Sequence, residues 1–230
     1  MSYVIVPPAL VSVPVAGGGE FPVHRIYCVG RNYAEHAQEM GFTGREPPFF
    51  FLKPADTALA VADGETGVID YPSLTHNFHH EIELVVAIGV GGRGILAADA
   101  ASHIWGYAIG LDMTRRDLQG DMKKQGRPWC IGKAFEQSAP IGPVHAKART
   151  GELLGGEISL SVNGVMRQVG DLKDLIWNVN ETIEVLSKAW TLQPGDLIYT
   201  GTPAGVGAVV SGDVMQGRIA GLGTLTVAVR

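Results

Sequence analysis

Glycine sets the strongest limit on what this chain can fold into. Thirty-one of its 230 residues are glycine, about twice the usual ~7% share, and with 13 prolines they are spread along the chain without a period. Neither residue suits the interior of a helix, so the pattern predicts many short strands joined by turns. A 46% hydrophobic and 18% charged composition supplies apolar surface for a sizeable core and excludes intrinsic disorder. No linker composition interrupts the chain, which predicts a single domain; the first strand and motif begin at Ile26, which leaves 1–25 as an N-terminal extension and 26–230 as that domain.

Eighteen Lys+Arg against 23 Asp+Glu give a net charge of −5, and no basic run is present to neutralise a phosphate backbone. Nucleic acid is therefore not an expected partner. No apolar stretch approaches the ~18–20 residues that span a bilayer, and the start Met1–Pro8 has neither a basic n-region nor a small-residue cleavage pattern. A cytoplasmic location without membrane partners is the expectation. Cys28 and Cys130, both in apolar contexts, read as inert buried thiols.

Short elements follow one another. Strands are predicted at Ile26–Val29, Phe49–Leu52, His80–Ile88, Trp105–Asp112, Leu197–Thr200 and Thr224–Val229, and helices at Tyr33–Met40, after a cap at Asp99, at Arg115–Lys124 and at Asn180–Ala189. The firmest local signal is Asn163-Gly164 between Ile158–Val162 and Val165–Val169, a two-residue hairpin turn.

The chemistry concentrates in His79-His80-Glu81-Ile82-Glu83-Leu84. On a strand, Glu81 and Glu83 share one face. Two such carboxylates are either a solvated strand edge or oxygen ligands for a hard divalent cation. Asp112, closing an apolar strand, adds a third carboxylate that needs a partner. Beyond it, Arg116 and Gln119 lie three apart on a helix face and suit an anionic, oxygen-rich ligand, although a solvated helix face carries the same residues. Lys133 sits among small and apolar residues, either in a site or as a lysine whose stem snorkels to the surface. His36 and Glu39 are also three apart, an exposed helix pair or an imidazole oriented by a carboxylate for general-base work.

Two glycine runs read differently. Gly201-Thr202-Pro203-Ala204-Gly205 lacks the Lys and Ser/Thr of a nucleotide P-loop, so it is a turn or a donor loop for an oxyanion. Gly89, Gly91 and Gly94 spell G-x-G-x-x-G. A dinucleotide-binding protein is the remote alternative, because no helix opens within the run and the preceding strand begins with two glutamates.

In combination and in order, Cys28-Val29-Gly30-Arg31-Asn32-Tyr33 with His36 and Glu39, Phe51-Leu52-Lys53-Pro54, His79–Glu83, Gly110–Thr114 with Arg116, Asp117 and Gln119, Gly132-Lys133 and Gly201-Thr202-Pro203 resemble the fumarylacetoacetate hydrolase family, in particular its short acylpyruvase-type members. The resemblance implies an α+β, β-rich fold, a mixed β-sheet roll with short peripheral helices, assembled as a homodimer. It implies a Mg²⁺ or Mn²⁺ site formed by Glu81, Glu83 and Asp112, which Ca²⁺ can fill in crystals. Within that family His36, Glu39 and Lys133 would be catalytic, and Arg31, Arg116, Gln119 and Thr202 would bind substrate. The implied reaction is hydrolysis of a C–C bond in a 2,4-dioxo acid. The overall run, including the segment Arg45–Phe51, looks most like bacterial members that convert fumarylpyruvate to fumarate and pyruvate in gentisate degradation. Relatives on the same scaffold decarboxylate oxaloacetate, or isomerise and decarboxylate homoprotocatechuate-pathway intermediates.

Overall fold

The computed structural model describes residues 3–34 and 45–230. Much of the expected Tyr33–Met40 helix, with His36 and Glu39, lies outside the described residues. Two sheets carry the fold. The larger runs in the order Phe49–Lys53, Ile26–Gly30, Leu197–Tyr199, Ile82–Ile88, Ile104–Leu111, Ala139–Ile141, Ala58–Ala60, with His145–Ala146 added beside Ile104–Leu111. It is mixed: Leu197–Tyr199 runs parallel to Ile26–Gly30 and antiparallel to Ile82–Ile88. The second sheet, in the order Val165–Asp171, Glu157–Val162, Val214–Ile219, Gly223–Val229, Thr66–Ile69, packs against Ile82–Ile88 and Ile104–Leu111.

The alternation of a strand decides what each face of Ile82–Ile88 meets. Ile82, Leu84, Val86 and Ile88 join Ile158, Leu160, Ile219 and Val227 in the core between the sheets. Val85 and Ala87 face the other way, into a second core with Cys28, Ile141 and Tyr199. This second core also takes Val13 and Phe21, from the antiparallel pair Ser12–Pro14 and Glu20–Pro22, within the stretch read as an N-terminal extension.

Local signals translate well where they are self-contained. Asn163 and Gly164 take φ of 50° and 78°, the positive values a two-residue hairpin turn demands, between Glu157–Val162 and Val165–Asp171. The helix Val179–Ala189 starts at Asn178, whose side chain accepts from Glu181 N while Glu181 reaches back to Asn178 N, a reciprocal capping box.

Several expectations are corrected. After Asp99 the chain makes only a 3₁₀ turn, Ala100–His103, without a side-chain cap. The strand expected over His80–Ile88 is broken at Glu81 into Phe78–His80 and Ile82–Ile88, because Phe78–His80 pairs with Thr114–Arg115 and Gly207–Ala208 instead. Cys130 is exposed, not buried; it begins the short helix Cys130–Lys133, of which only Gly132 and Lys133 are buried. The Gly89–Gly94 run opens no helix. A Cβ on Gly91 would stand 2.6 Å from Leu192 O, so close strand-to-loop packing accounts for that glycine and the dinucleotide reading falls.

Candidate metal centre and active site

Register builds the site. Ile82 lies opposite Leu111, and the next pair outward is Glu81 and Asp112, joined by Asp112 N donating to Glu81 O at 2.9 Å. Opposed residues on antiparallel strands project to the same side, and Glu83, two along from Glu81, projects there too. Opposite Glu83 stands Gly110, which brings no side chain to compete for the space. Glu81, Glu83 and Asp112 each offer an oxygen within 4.8 Å of the others, and all three are buried.

Three buried carboxylates repel unless cations sit beside them. Lys133 spends all three ammonium protons here, on Glu81 Oε2 at 2.8 Å, Asp112 Oδ2 at 2.8 Å and Thr114 Oγ1 at 2.7 Å. It reaches in because Gly132 lets its helix close on Arg116–Lys124: a Cβ there would lie 2.8 Å from Gln119 N. Lys133 is 3% exposed, which rules out the snorkelling reading. Arg116 donates to Glu81 Oε1 and, at 2.6 Å, to Gln119 Oε1. Lys53, 1% exposed, is a site residue the sequence reading did not assign. Its Nζ lies 2.9 Å from Asp112 Oδ1, yet its hydrogen bonds go to the carbonyls of Met113, Lys133 and Ser138. The available signal was a lysine closing the apolar run Phe49-Phe50-Phe51-Leu52.

The consequence is an uneven set of oxygens. Among the described residues nothing donates a hydrogen bond to the buried Asp112 Oδ1, although the Lys53 ammonium stands beside it. Glu83 Oε2 accepts from Gly201 N at 2.7 Å, and Gly201 holds φ +99° with room for no Cβ, since one would lie 2.7 Å from Asn32 Cβ. Burial, with Asp112 and Glu81 alongside, pushes the Glu83 carboxyl well above the usual range, and the Gly201 N–H and Lys133 offset this only in part. Burial alone would lower the Lys133 ammonium, but Asp112 and Glu81 outweigh it and the net shift is upward. An all-oxygen, buried, charge-crowded triad with an underused oxygen fits a hard divalent cation.

One cavity gathers the remaining expected residues: Arg31, Arg116, Gln119, Lys133 and Thr202 line it together with the triad. Arg31 adopts φ 58°, a costly conformation for an arginine, and lays its guanidinium over the Phe49 ring at 4.8 Å. Asn32 pins this corner, donating to Trp177 O and Thr200 O and accepting from Trp177 N. A second cavity of about 400 Å³ shares Phe49, Phe51, Trp129 and Lys133 with the first and continues along Phe50, Leu52 and Pro128. Phe49 meets Trp129 edge-on at 5.4 Å. His79 is no free base, because burial and Arg116 hold its pKa down at about 4 and both its nitrogens have partners, Asn77 Oδ1 and Arg116 Nε.

Residues 25–230 match the model of the fumarylacetoacetate (FAA) hydrolase C-terminal family. The chain is a member of the fumarylacetoacetate hydrolase family. Among solved relatives, the crystal structure of fumarylpyruvate hydrolase from Pseudomonas aeruginosa in complex with Mn²⁺ and pyruvate is 56% identical, with a TM-score of 0.98 and 99% of each chain covered. The oxaloacetate tautomerase YcgM of Escherichia coli (strain K12) is 43% identical over 195 residues, 84% of this chain and 87% of that one. The mitochondrial oxaloacetate decarboxylase of Dictyostelium discoideum is 40% identical over 200 residues, 87% and 90% of the two chains. The β-rich architecture is that of the family's C-terminal domain. Among the described residues no helix is long and apolar enough to cross a membrane.

Proposed function

We propose that this member hydrolyses a 2,4-dioxo acid, fumarylpyruvate first among them, to fumarate and pyruvate, with Mg²⁺ or Mn²⁺ held by Glu81, Glu83 and Asp112. The observation that carries the reading is the buried carboxylate triad in a cavity that shares Phe49, Phe51, Trp129 and Lys133 with a second, aromatic-walled one. The 56% identity to the Pseudomonas aeruginosa fumarylpyruvate hydrolase supports it. When bound, the divalent ion supplies Lewis-acid polarisation of the oxo acid.

The protein's own groups do the rest. Arg116, Gln119 and Thr202 offer donors to the carboxylate and oxo oxygens, and Arg31, stacked on Phe49, offers a cation to the distal carboxylate of a fumaryl group. His36, oriented by Glu39, takes a proton from water as the oxygen adds to the C4 carbonyl. The C3–C4 bond then breaks, its electron pair leaves as the pyruvate enolate, and that enolate takes up a proton to give pyruvate. The Lys133 ammonium balances the developing charge; with its protons all engaged, it must give up one of those bonds to touch the substrate.

Oxaloacetate tautomerisation or decarboxylation at the same site is the second reading, favoured by the Escherichia coli and Dictyostelium relatives. The aromatic cavity argues for the first, since oxaloacetate has no acyl chain to lay along it. Steady-state kcat/KM on fumarylpyruvate, acetylpyruvate and oxaloacetate with Mg²⁺ or Mn²⁺ decides between them: fumarylpyruvate should lead, and turnover of oxaloacetate alone would move the assignment to the second reading. A homodimer, a cytoplasmic location and a place in gentisate degradation go with the first reading. Sedimentation as a monomer at micromolar concentration would contradict the dimer.

A further inference from the structure

Gln168 is the buried exception in its strand. Val165–Asp171 is otherwise exposed or half-buried, whereas Gln168 is 0% exposed and its amide is used at both ends. Oε1 accepts from Ile82 N at 3.1 Å and meets His80 Nδ1 at 2.9 Å. Nε2 donates to Thr202 Oγ1 at 2.8 Å and to Pro203 O at 2.9 Å. Two of these partners admit one role only. A backbone N–H can only donate and a carbonyl can only accept, so the amide has a single possible orientation. It follows that His80 carries a proton on Nδ1, and that the Thr202 hydroxyl is the acceptor in its bond with Gln168. The one proton of that hydroxyl is therefore free to point elsewhere. Thr202 is itself 2% exposed and borders the cavity that holds the carboxylate triad, Arg116 and Lys133.

We infer that Gln168 is a positioning residue: it holds the Thr202 oxygen from behind so that the hydroxyl proton is directed into the cavity, as a donor to an oxygen of the bound oxo acid. Through His80 and Ile82, which flank Glu81, the same amide ties this donor to the segment that carries Glu81 and Glu83. The inference rests on the oxo-acid reading above. An acceptor-only side chain at 168 would reverse the arrangement, since Thr202 would then donate to it and turn its proton away from the ligand.

Calorimetry on the full chain separates these roles, with Mn²⁺ alone as one probe and pyruvate added to the Mn²⁺-loaded protein as the other. Gln168→Glu keeps the acceptor for Ile82 N but removes both donors. It and Thr202→Val should each weaken pyruvate binding about 10-fold, with Mn²⁺ affinity within about threefold of the parent. The double variant should bind pyruvate no worse than either single one, because both changes remove the same hydrogen bond. Gln168→Met, neutral and of similar volume, should give the same pyruvate loss and serves if the buried glutamate prevents folding. Pyruvate binding unchanged in the Gln168 variants while Thr202→Val loses it, or losses that add in the double variant, would overturn the inference alone. A parent protein that takes up Mn²⁺ but not pyruvate would overturn the oxo-acid reading and this inference with it.

Discussion

The strands Ile82–Ile88 and Leu197–Tyr199 run antiparallel and end in buried acid at both poles, with opposite outcomes. At one pole Asp196, 0% exposed, meets His24 Nδ1 at 2.7 Å, Arg25 Nε and Nη2 at 3.2 Å, and Gln193 N at 2.8 Å. Its partners are loop groups that reach solvent, and each oxygen is satisfied. At the other pole three carboxylates converge within 4.8 Å, and among the described residues nothing donates a hydrogen bond to Asp112 Oδ1. A buried carboxylate with every oxygen hydrogen-bonded closes a turn; three crowded carboxylates, with Lys53 and Lys133 against Asp112, fit a divalent cation. Hydrogen-bond satisfaction, more than burial, is what differs between the two poles.

The largest expected effect breaks the compensation at the crowded pole. Lys53→Met removes a fully buried cation 2.9 Å from Asp112 and should cost about 3–5 kcal/mol in urea unfolding; a loss below about 1 kcal/mol would mean that Lys133 alone balances Asp112. Next, Glu83→Ala should weaken Mn²⁺ binding at least ~100-fold and abolish turnover with it, as read by calorimetry and steady-state assay. Mn²⁺ affinity equal to the parent's would place the cation elsewhere.

Asp196→Asn sharpens the contrast from the other side. It should lose about 2 kcal/mol of stability, since its partners His24 and Arg25 can turn to water, while Mn²⁺ affinity and kcat/KM stay at parental values. A catalytic defect there would show that the two poles communicate.

The smallest effect concerns Asp117, in the first turn of the helix Arg116–Lys124 beside the site. Burial raises its pKa, but hydrogen bonds from Thr75, His76 N and Leu118 N outweigh it and leave the carboxyl below its ordinary range. A folded pKa below the unfolded one contributes stability that is present above the unfolded value of ~3.9 and is lost as pH falls through the folded value. Asp117→Asn should therefore be less stable than the parent at pH 7, with the gap in urea midpoint narrowing below about pH 4. A gap constant across that range would mean that shape, not charge, is what Asp117 contributes to holding Thr75 and His76.

Much of the site was legible as a set of residues. Glu81 and Glu83 on one strand face, and Arg116 with Gln119 on one helix turn, follow from periods of two and of 3.6 residues, and the structure puts each pair in contact with the same cavity. The hairpin at Asn163-Gly164 and the helix Val179–Ala189 were legible for the same reason, since turn chemistry and amphipathic spacing are settled within a few residues. Glu81 itself shows where this stops. Its strand breaks there because Phe78–His80 pairs with distant segments, Thr114 lying opposite His79 and Gly207 opposite His80, and no local pattern records a competing partner.

Lys53, Gln168 and Cys130 mark the same boundary. By itself the sequence determined the β-rich class, the turn positions, the periodic faces and, through its ordered motifs, the family. Only the tertiary structure decided that a lysine ending an apolar strand would stand beside Asp112, that the glutamine of an otherwise exposed or half-buried strand would be buried against Thr202, and that a cysteine in an apolar context would face solvent. The physical reason is register. Side-chain direction is a local property of the strand, but which residue lies opposite, and therefore which charge is compensated, is set by pairings between segments far apart in the chain.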